Sequence, residues 1–141
     1  MIEWKDTVPF IPPVTGGIVI KVYDGDTITI ASKIPIENSP MYRFSVRLNG
    51  VDTPEMKGST EDEKECAKDT QKRISELILH KHIELKNMGN EKWGRILADV
   101  YLSDVHINKL LIDERLAVIY DGGTKNRPVS WKRYKENGNM F

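Results

Sequence analysis

The chain has 141 residues, with 21 lysines and arginines against 21 aspartates and glutamates, three histidines and a single cysteine. The length suits one compact domain that buries roughly two-thirds of its unfolded-chain surface and needs no staples. The lone Cys66 excludes an internal disulfide and, lacking cysteine or histidine neighbours at ligand spacing, a structural zinc site. The even charge excludes nucleic-acid binding by net basicity and leaves that task to a local patch.

No apolar run approaches the ~20 residues of a membrane span, and the N-terminus MIEWKDTVPFIPPV lacks the basic start and apolar run of a secretory leader. Together with the single cysteine this leads us to expect an intracellular protein without membrane attachment. Residues 1–15 form a proline-rich arm, because Pro9, Pro12 and Pro13 forbid a helix interior or a central strand. The domain proper is expected over 16–141. Ile18, Ile20 and Val22 alternate with Val19 and Lys21, Asp24-Gly25 is a tight-turn dipeptide, and Thr27 to Ala31 resumes strand character. Residues 17–31 therefore read as a hairpin.

Residues 32–41 carry two prolines and read as a loop. In 42–51 Tyr42, Phe44, Val46 and Leu48 alternate with Arg43, Ser45 and Arg47. Asn49-Gly50 follows, but Pro54 comes too soon for a hairpin partner, so a bend that ends the strand is expected. Thr60 and Glu63 match a capping box, acids fill the next turn, and Ala67, Thr70, Ile74, Leu77 and Ile78 recur at helical spacing. The pattern predicts a helix over 61–79, with the acidic run 61–65 as its solvated start. A short strand over 81–86, a turn over 88–92, a strand over 95–102, a short helix over 108–115 and an extended 117–120 complete the order. The polar, basic tail 124–141 has room for one or two helical turns. Five strands with one long helix between the third and fourth, then short helices, is the order of an OB-type barrel, an α+β and mostly β fold.

Within this frame the stretch RLNGVDTPE is unusual, since Arg47, Asp52 and Glu55 crowd the end of a strand. Asp26 and Asp52 offer oxygen ligands to a hard cation, Ca²⁺ or Mg²⁺, with calcium favoured if the Thr53 carbonyl also binds. Read alone, Asp24-Gly25-Asp26 is an ordinary turn. Arg47 and Arg95 present guanidinium forks suited to a phosphodiester, though each alone reads as a surface arginine. Glu55 is placed to take a proton from a metal-bound water, or is an exposed loop acid. Trp93 and Tyr120 offer faces for stacking on bases, or pack at a rim. The scattered histidines give no support to Ser-His-Asp chemistry.

The words VYDGDTITI (22–30), VRLNGVDTPE (46–55), KWGR (92–95) and, more loosely, INKLLIDERLAVIY (107–120) resemble the thermonuclease, or staphylococcal nuclease-like, family. The resemblance covers about residues 16–120 in order and implies an OB-type five-stranded barrel with helices. It also implies calcium held by Asp26, Asp52 and the Thr53 carbonyl, Glu55 acting on the attacking water, and Arg47 with Arg95 on the phosphate. Lys92 and Trp93 match a family Lys-Tyr pair of the nucleotide pocket, and Tyr120 a second pocket aromatic. The expected partners are single- or double-stranded DNA and RNA, cut by a monomer with little sequence preference. The rival expectation is a barrel of this family that binds nucleic acid or peptide without cutting it. Residues 32–41 look enlarged, the stretch from Glu55 to the first helix looks short, and the net charge of zero departs from the family's basic members.

Overall fold

Branched apolar residues at strand spacing set the frame: Ile28 and Ile30, then Val46 and Leu48, are all fully buried. The structure, a computed structural model, describes residues 1–141 apart from the side chain of Trp93, so the stacking expected of that residue lies outside the described residues. Strands β1 (Gly16–Val22) and β2 (Thr27–Ser32) form the expected hairpin, and β3 (Tyr42–Leu48) joins β2 antiparallel. The Asn49-Gly50 bend ends β3, with Gly50 at φ +78° where a side chain is strained. The two-residue β4 (Val51–Asp52) follows.

Helix α1 (Glu61–Ile78) runs as expected, capped by Thr60 Oγ1, which accepts from the Glu63 amide at 3.1 Å. It drops Ile74 and Ile78 into the core. Then come β5 (His82–Asn90), a single 3₁₀ turn at Lys92–Gly94, β6 (Ile96–Leu102), β7 (Val105–His106), α2 (Ile107–Asp113), β8 (Val118–Ile119) and α3 (Trp131–Asn137). The long strands lie in the order β3-β2-β1-β5-β6, and a parallel pairing of β3 with β6 closes them into a five-stranded barrel. The small sheet β4–β8 fastens the segment after the bend to the segment after α2.

Two strand readings are corrected. Simple alternation put Ile18, Ile20 and Val22 on one face of β1, but Val19 and Val22 are buried while Ile18 and Ile20 are exposed. A bulge between Val19 and Lys21 inserts one residue and reverses the parity. The stretch 88–92, read as a turn, belongs largely to β5, whose Gly89 pairs with Leu97. A register shift between Lys86 and Gly89, with Asn87 at φ +52°, absorbs the turn-forming residues inside the ladder.

The tail is not loose. Ser130 caps α3 by accepting from the Arg133 amide, and Gly138 ends it at φ +77°. Trp131, 5 % exposed, packs with Cys66 of α1 and Val118 of β8 in a second small core, so the cysteine is a buried thiol.

Candidate active site

Strand ends carry the charged residues to one rim of the barrel. The Asp26 carbonyl accepts from the Leu48 amide at 2.8 Å, which sets Asp26 beside the end of β3. There Arg47 Nη1 lies 3.3 Å from Asp26 Oδ2 and also donates to the carbonyls of Leu48 (3.1 Å) and Val51 (3.0 Å). The guanidinium therefore spans the Asn49-Gly50 bend. It is 8 % exposed, and those two carbonyls satisfy its Nη1. The preceding turn leans on α1: a Cβ at Gly25 would collide with the buried Thr70 Cγ2, so a larger residue there would force a shift. Asp24 Oδ1 accepts from the Met56 amide at 3.3 Å, tying this turn to the segment after Glu55. Burial pushes the Asp24 carboxyl above its ordinary range, against the pull of that amide.

Asp52, in β4, is 1 % exposed, and neither carboxylate oxygen accepts a hydrogen bond among the described residues. Its compensation is ionic and distant: Lys125 Nζ stands 3.6 Å from Oδ1 and Arg127 Nε 3.3 Å from Oδ2. Burial raises the Asp52 pKa, and Lys125 and Arg127 oppose this without cancelling it. Thr53 is fully buried; its carbonyl accepts from Arg127 Nη2 at 3.4 Å and its hydroxyl has no partner among the described residues. The Glu55 side chain is 48 % exposed, with Oε1 3.8 Å from Lys125 Nζ.

Beside these groups opens a basin of about 720 Å³, lined among others by Arg47, Lys92, Arg95, Tyr120 and Lys125. Arg95 reaches it from the end of the 3₁₀ turn, with Nε and Nη2 both 2.7 Å from Glu91 Oε2. Tyr120 is held by its amide on the Gly50 carbonyl at 2.9 Å, and its ring faces Arg47 at 5.9 Å and Lys125 at 5.7 Å. Asp26, Arg47, Asp52, Thr53 and Glu55 thus gather at one rim, and Lys92, Arg95 and Tyr120 line the adjoining basin.

Three further residues belong to the site that the sequence pattern does not place there. Lys125 and Arg127 were part of a tail read only as polar and basic. Their signal was faint: two cations between the Asp121-Gly-Gly turn and the tail's Trp131. Glu63 was assigned to the solvated start of α1, and that is corrected, because it is 6 % exposed. Its carboxylate does not close the capping box on Thr60. It accepts instead from the Glu55 amide at 3.0 Å and from Arg127 Nη2. A partly buried guanidinium and the Glu55 amide outcompete the helix's own N-terminus for that carboxylate.

Among the described residues no three His, Cys, Asp or Glu side chains are gathered as a cage for a metal. What the rim does hold is an orphaned, buried carboxylate next to a second one, with a backbone carbonyl and no nitrogen or sulfur ligand. That donor set fits a hard divalent cation whose remaining positions are filled by water.

Residues 45–137 match the family model described as staphylococcal nuclease homologue. The chain is 31 % identical over 102 residues to an uncharacterized endonuclease of Haemophilus influenzae, covering 72 % of this chain and 51 % of that one. It is 32 % identical over 111 residues to endonuclease YncB of Bacillus subtilis, covering 74 % and 49 %. Against the SPbeta prophage-derived endonuclease YokF of the same organism it is 30 % identical over 111 residues, covering 74 % and 35 %. The chain thus spans about half the length of the first two relatives and about a third of the third.

Proposed function

The chain belongs to the staphylococcal nuclease family, and from that premise we propose that it is a calcium-dependent nuclease hydrolysing phosphodiester bonds of DNA or RNA with little sequence preference. The observation that carries this reading is the buried Asp52 carboxylate, without a hydrogen bond among the described residues, at the edge of a basin whose described lining includes Arg47, Lys92, Arg95 and Lys125. Such a group is costly to bury unless something charged completes it.

Asp26, Asp52 and the Thr53 carbonyl would hold the ion. When bound, calcium supplies a Lewis-acid contact for a phosphate oxygen. The rest falls to the chain. Glu55, exposed toward solvent and fixed through its backbone by Glu63, takes a proton from the attacking water. Arg47 and Arg95 direct N–H donors at the phosphate oxygens, where charge builds as the water oxygen bonds to phosphorus and the ester oxygen leaves. Arg47 is preorganised by its two carbonyl bonds and Arg95 by Glu91, so little reorganisation accompanies the reaction. Lys92 and Tyr120 give the basin a cation and an aromatic wall for a nucleotide, contacts that do not read base identity.

One observation favours a second reading. Lys125 and Arg127 already stand beside Asp52 as counter-charges without an ion, an arrangement suited to a barrel that binds nucleic acid without cutting it. Incubating the protein with single-stranded DNA in calcium, and then in excess chelator, separates the two. Cleavage that stops on chelation supports the nuclease. Retention of uncut DNA in calcium supports the binding module and overturns the nuclease.

A further inference from the structure

The two cations over Asp52 are held in different ways. Arg127 is anchored: its Nη2 donates to Glu63 and Thr53, its guanidinium faces the Trp131 ring at 5.3 Å, and Pro128 stiffens the chain that follows. Lys125, two residues earlier, makes no hydrogen bond to any described residue. Its ammonium spans Asp52 and Glu55 at 3.6 and 3.8 Å, with its side chain 41 % exposed on the wall of the basin. A lysine is a compact charge on a flexible four-carbon stem, able to leave one carboxylate for another anion without moving the backbone. Its ammonium also lies against a carboxylate that a divalent ion would use, and two cations repel one another across a shared carboxylate.

We propose that Lys125 is a tethered counter-cation that competes with the divalent ion for Asp52, and that binding of the ion releases its ammonium into the basin. The inference rests on the calcium reading above and adds a residue outside the stretches in which the resemblance was read. It accounts for a buried carboxylate lacking hydrogen bonds: Asp52 is compensated by lysine before the ion arrives and by the ion afterwards. It also assigns the tail a place in the site, with Arg127 as the fixed point and Lys125 as the movable one.

The test is calorimetric titration of the full chain with calcium at low ionic strength, for the parent, Lys125→Met and Lys125→Arg, with thermal melts in calcium and in chelator. Lys125→Met is expected to bind calcium about tenfold more tightly, to melt below the parent in chelator, and to gain more from calcium than the parent does. Lys125→Arg, which keeps the charge, is expected to stay near the parent affinity. Unchanged or weaker binding by Lys125→Met, with the parent still binding calcium, overturns the inference and leaves the calcium reading standing. Absence of calcium binding in all three proteins overturns both.

Discussion

The Glu63 carboxylate, in the first turn of α1, accepts the backbone amide of Glu55 at 3.0 Å. One side chain thereby fixes the backbone of another whose own carboxylate is half exposed beside Lys125. Arg127 holds Glu63 from the opposite side, so the chain Arg127–Glu63–Glu55 joins tail, helix and rim.

Removing that link has a predictable cost. Glu63→Ala leaves the Glu55 amide without this acceptor and takes from Arg127 the carboxylate on its Nη2, leaving Asp52 as its remaining ionic partner. We expect a loss of about 2–4 kcal/mol in urea unfolding. Glu63→Gln keeps an acceptor for the amide but not the ion pair, so its loss is smaller, and turnover falls more than substrate affinity does. Unfolding midpoints for Glu63→Gln and Glu63→Ala equal to the parent's contradict this link.

Glu55 itself behaves in the opposite way. Its carboxylate is half exposed, and its structural contact with Glu63 is made by the backbone, which alanine retains. Glu55→Ala is therefore expected to change stability by no more than about 0.5 kcal/mol. Cleavage of single-stranded DNA should fall ~10²–10⁴-fold. Parent-level cleavage by this variant removes Glu55 from the chemistry.

The sequence made some of this legible and hid the rest for physical reasons. Strand alternation and the capping threonine are local, and so were the barrel order and the crowding of Arg47, Asp52 and Glu55 around a bend. The inverted face of β1 was not, because a bulge is fixed by the pairing partner rather than by residues 18–22 alone. Asn87 and Gly89 carry turn chemistry that a barrel uses equally well inside a ladder. Lys125 and Arg127 acquire meaning only when Trp131 docks on Cys66 and Val118, contacts distant in the chain. Glu63 was concealed by its neighbours, since nothing in an acidic run tells which acid turns inward.

Glu91 places the Arg95 fork: its Oε2 accepts from Nε at 2.7 Å and pairs ionically with Nη2 at 2.7 Å. Glu91→Ala frees a long side chain to sample other rotamers, and the cost of ordering it then falls on the reaction. We expect kcat/KM to drop about tenfold, equivalent to ~1.4 kcal/mol. A rise would instead mean that Glu91 masks Arg95 from the substrate.

A pH effect on stability is expected away from the site. Arg73 donates twice to Glu114, at 2.8 Å each, and this hydrogen bonding holds the Glu114 carboxyl below its ordinary value. A depressed carboxylate contributes fully above its unfolded pKa, about 4.3. It loses that contribution as the pH falls through the lower folded value. The pair is exposed, so the effect is small and weakens in salt. The melting difference between the parent and Glu114→Gln should be visible at neutral pH and vanish in acid. A difference that persists below both pKa values assigns it to something other than this charge.

The tail's anchor gives the last prediction. Trp131 fills the small core with Cys66 and Val118, and Tyr134 Oη donates to the Ala117 carbonyl at 2.8 Å beside it. Trp131→Ala opens a cavity there and removes the ring facing Arg127, at a cost of about 3–5 kcal/mol. The loss should not stop at stability. With α3 loosened, Arg127 and Lys125 lose their register over Asp52, so turnover should fall even at temperatures where the barrel remains folded. Trp131→Phe, which keeps an aromatic face and most of the volume, should restore most of both properties. If Trp131→Ala loses stability alone and cleaves at the parent rate well below its melting point, the tail serves only to brace the barrel, and its two cations have no part in the reaction.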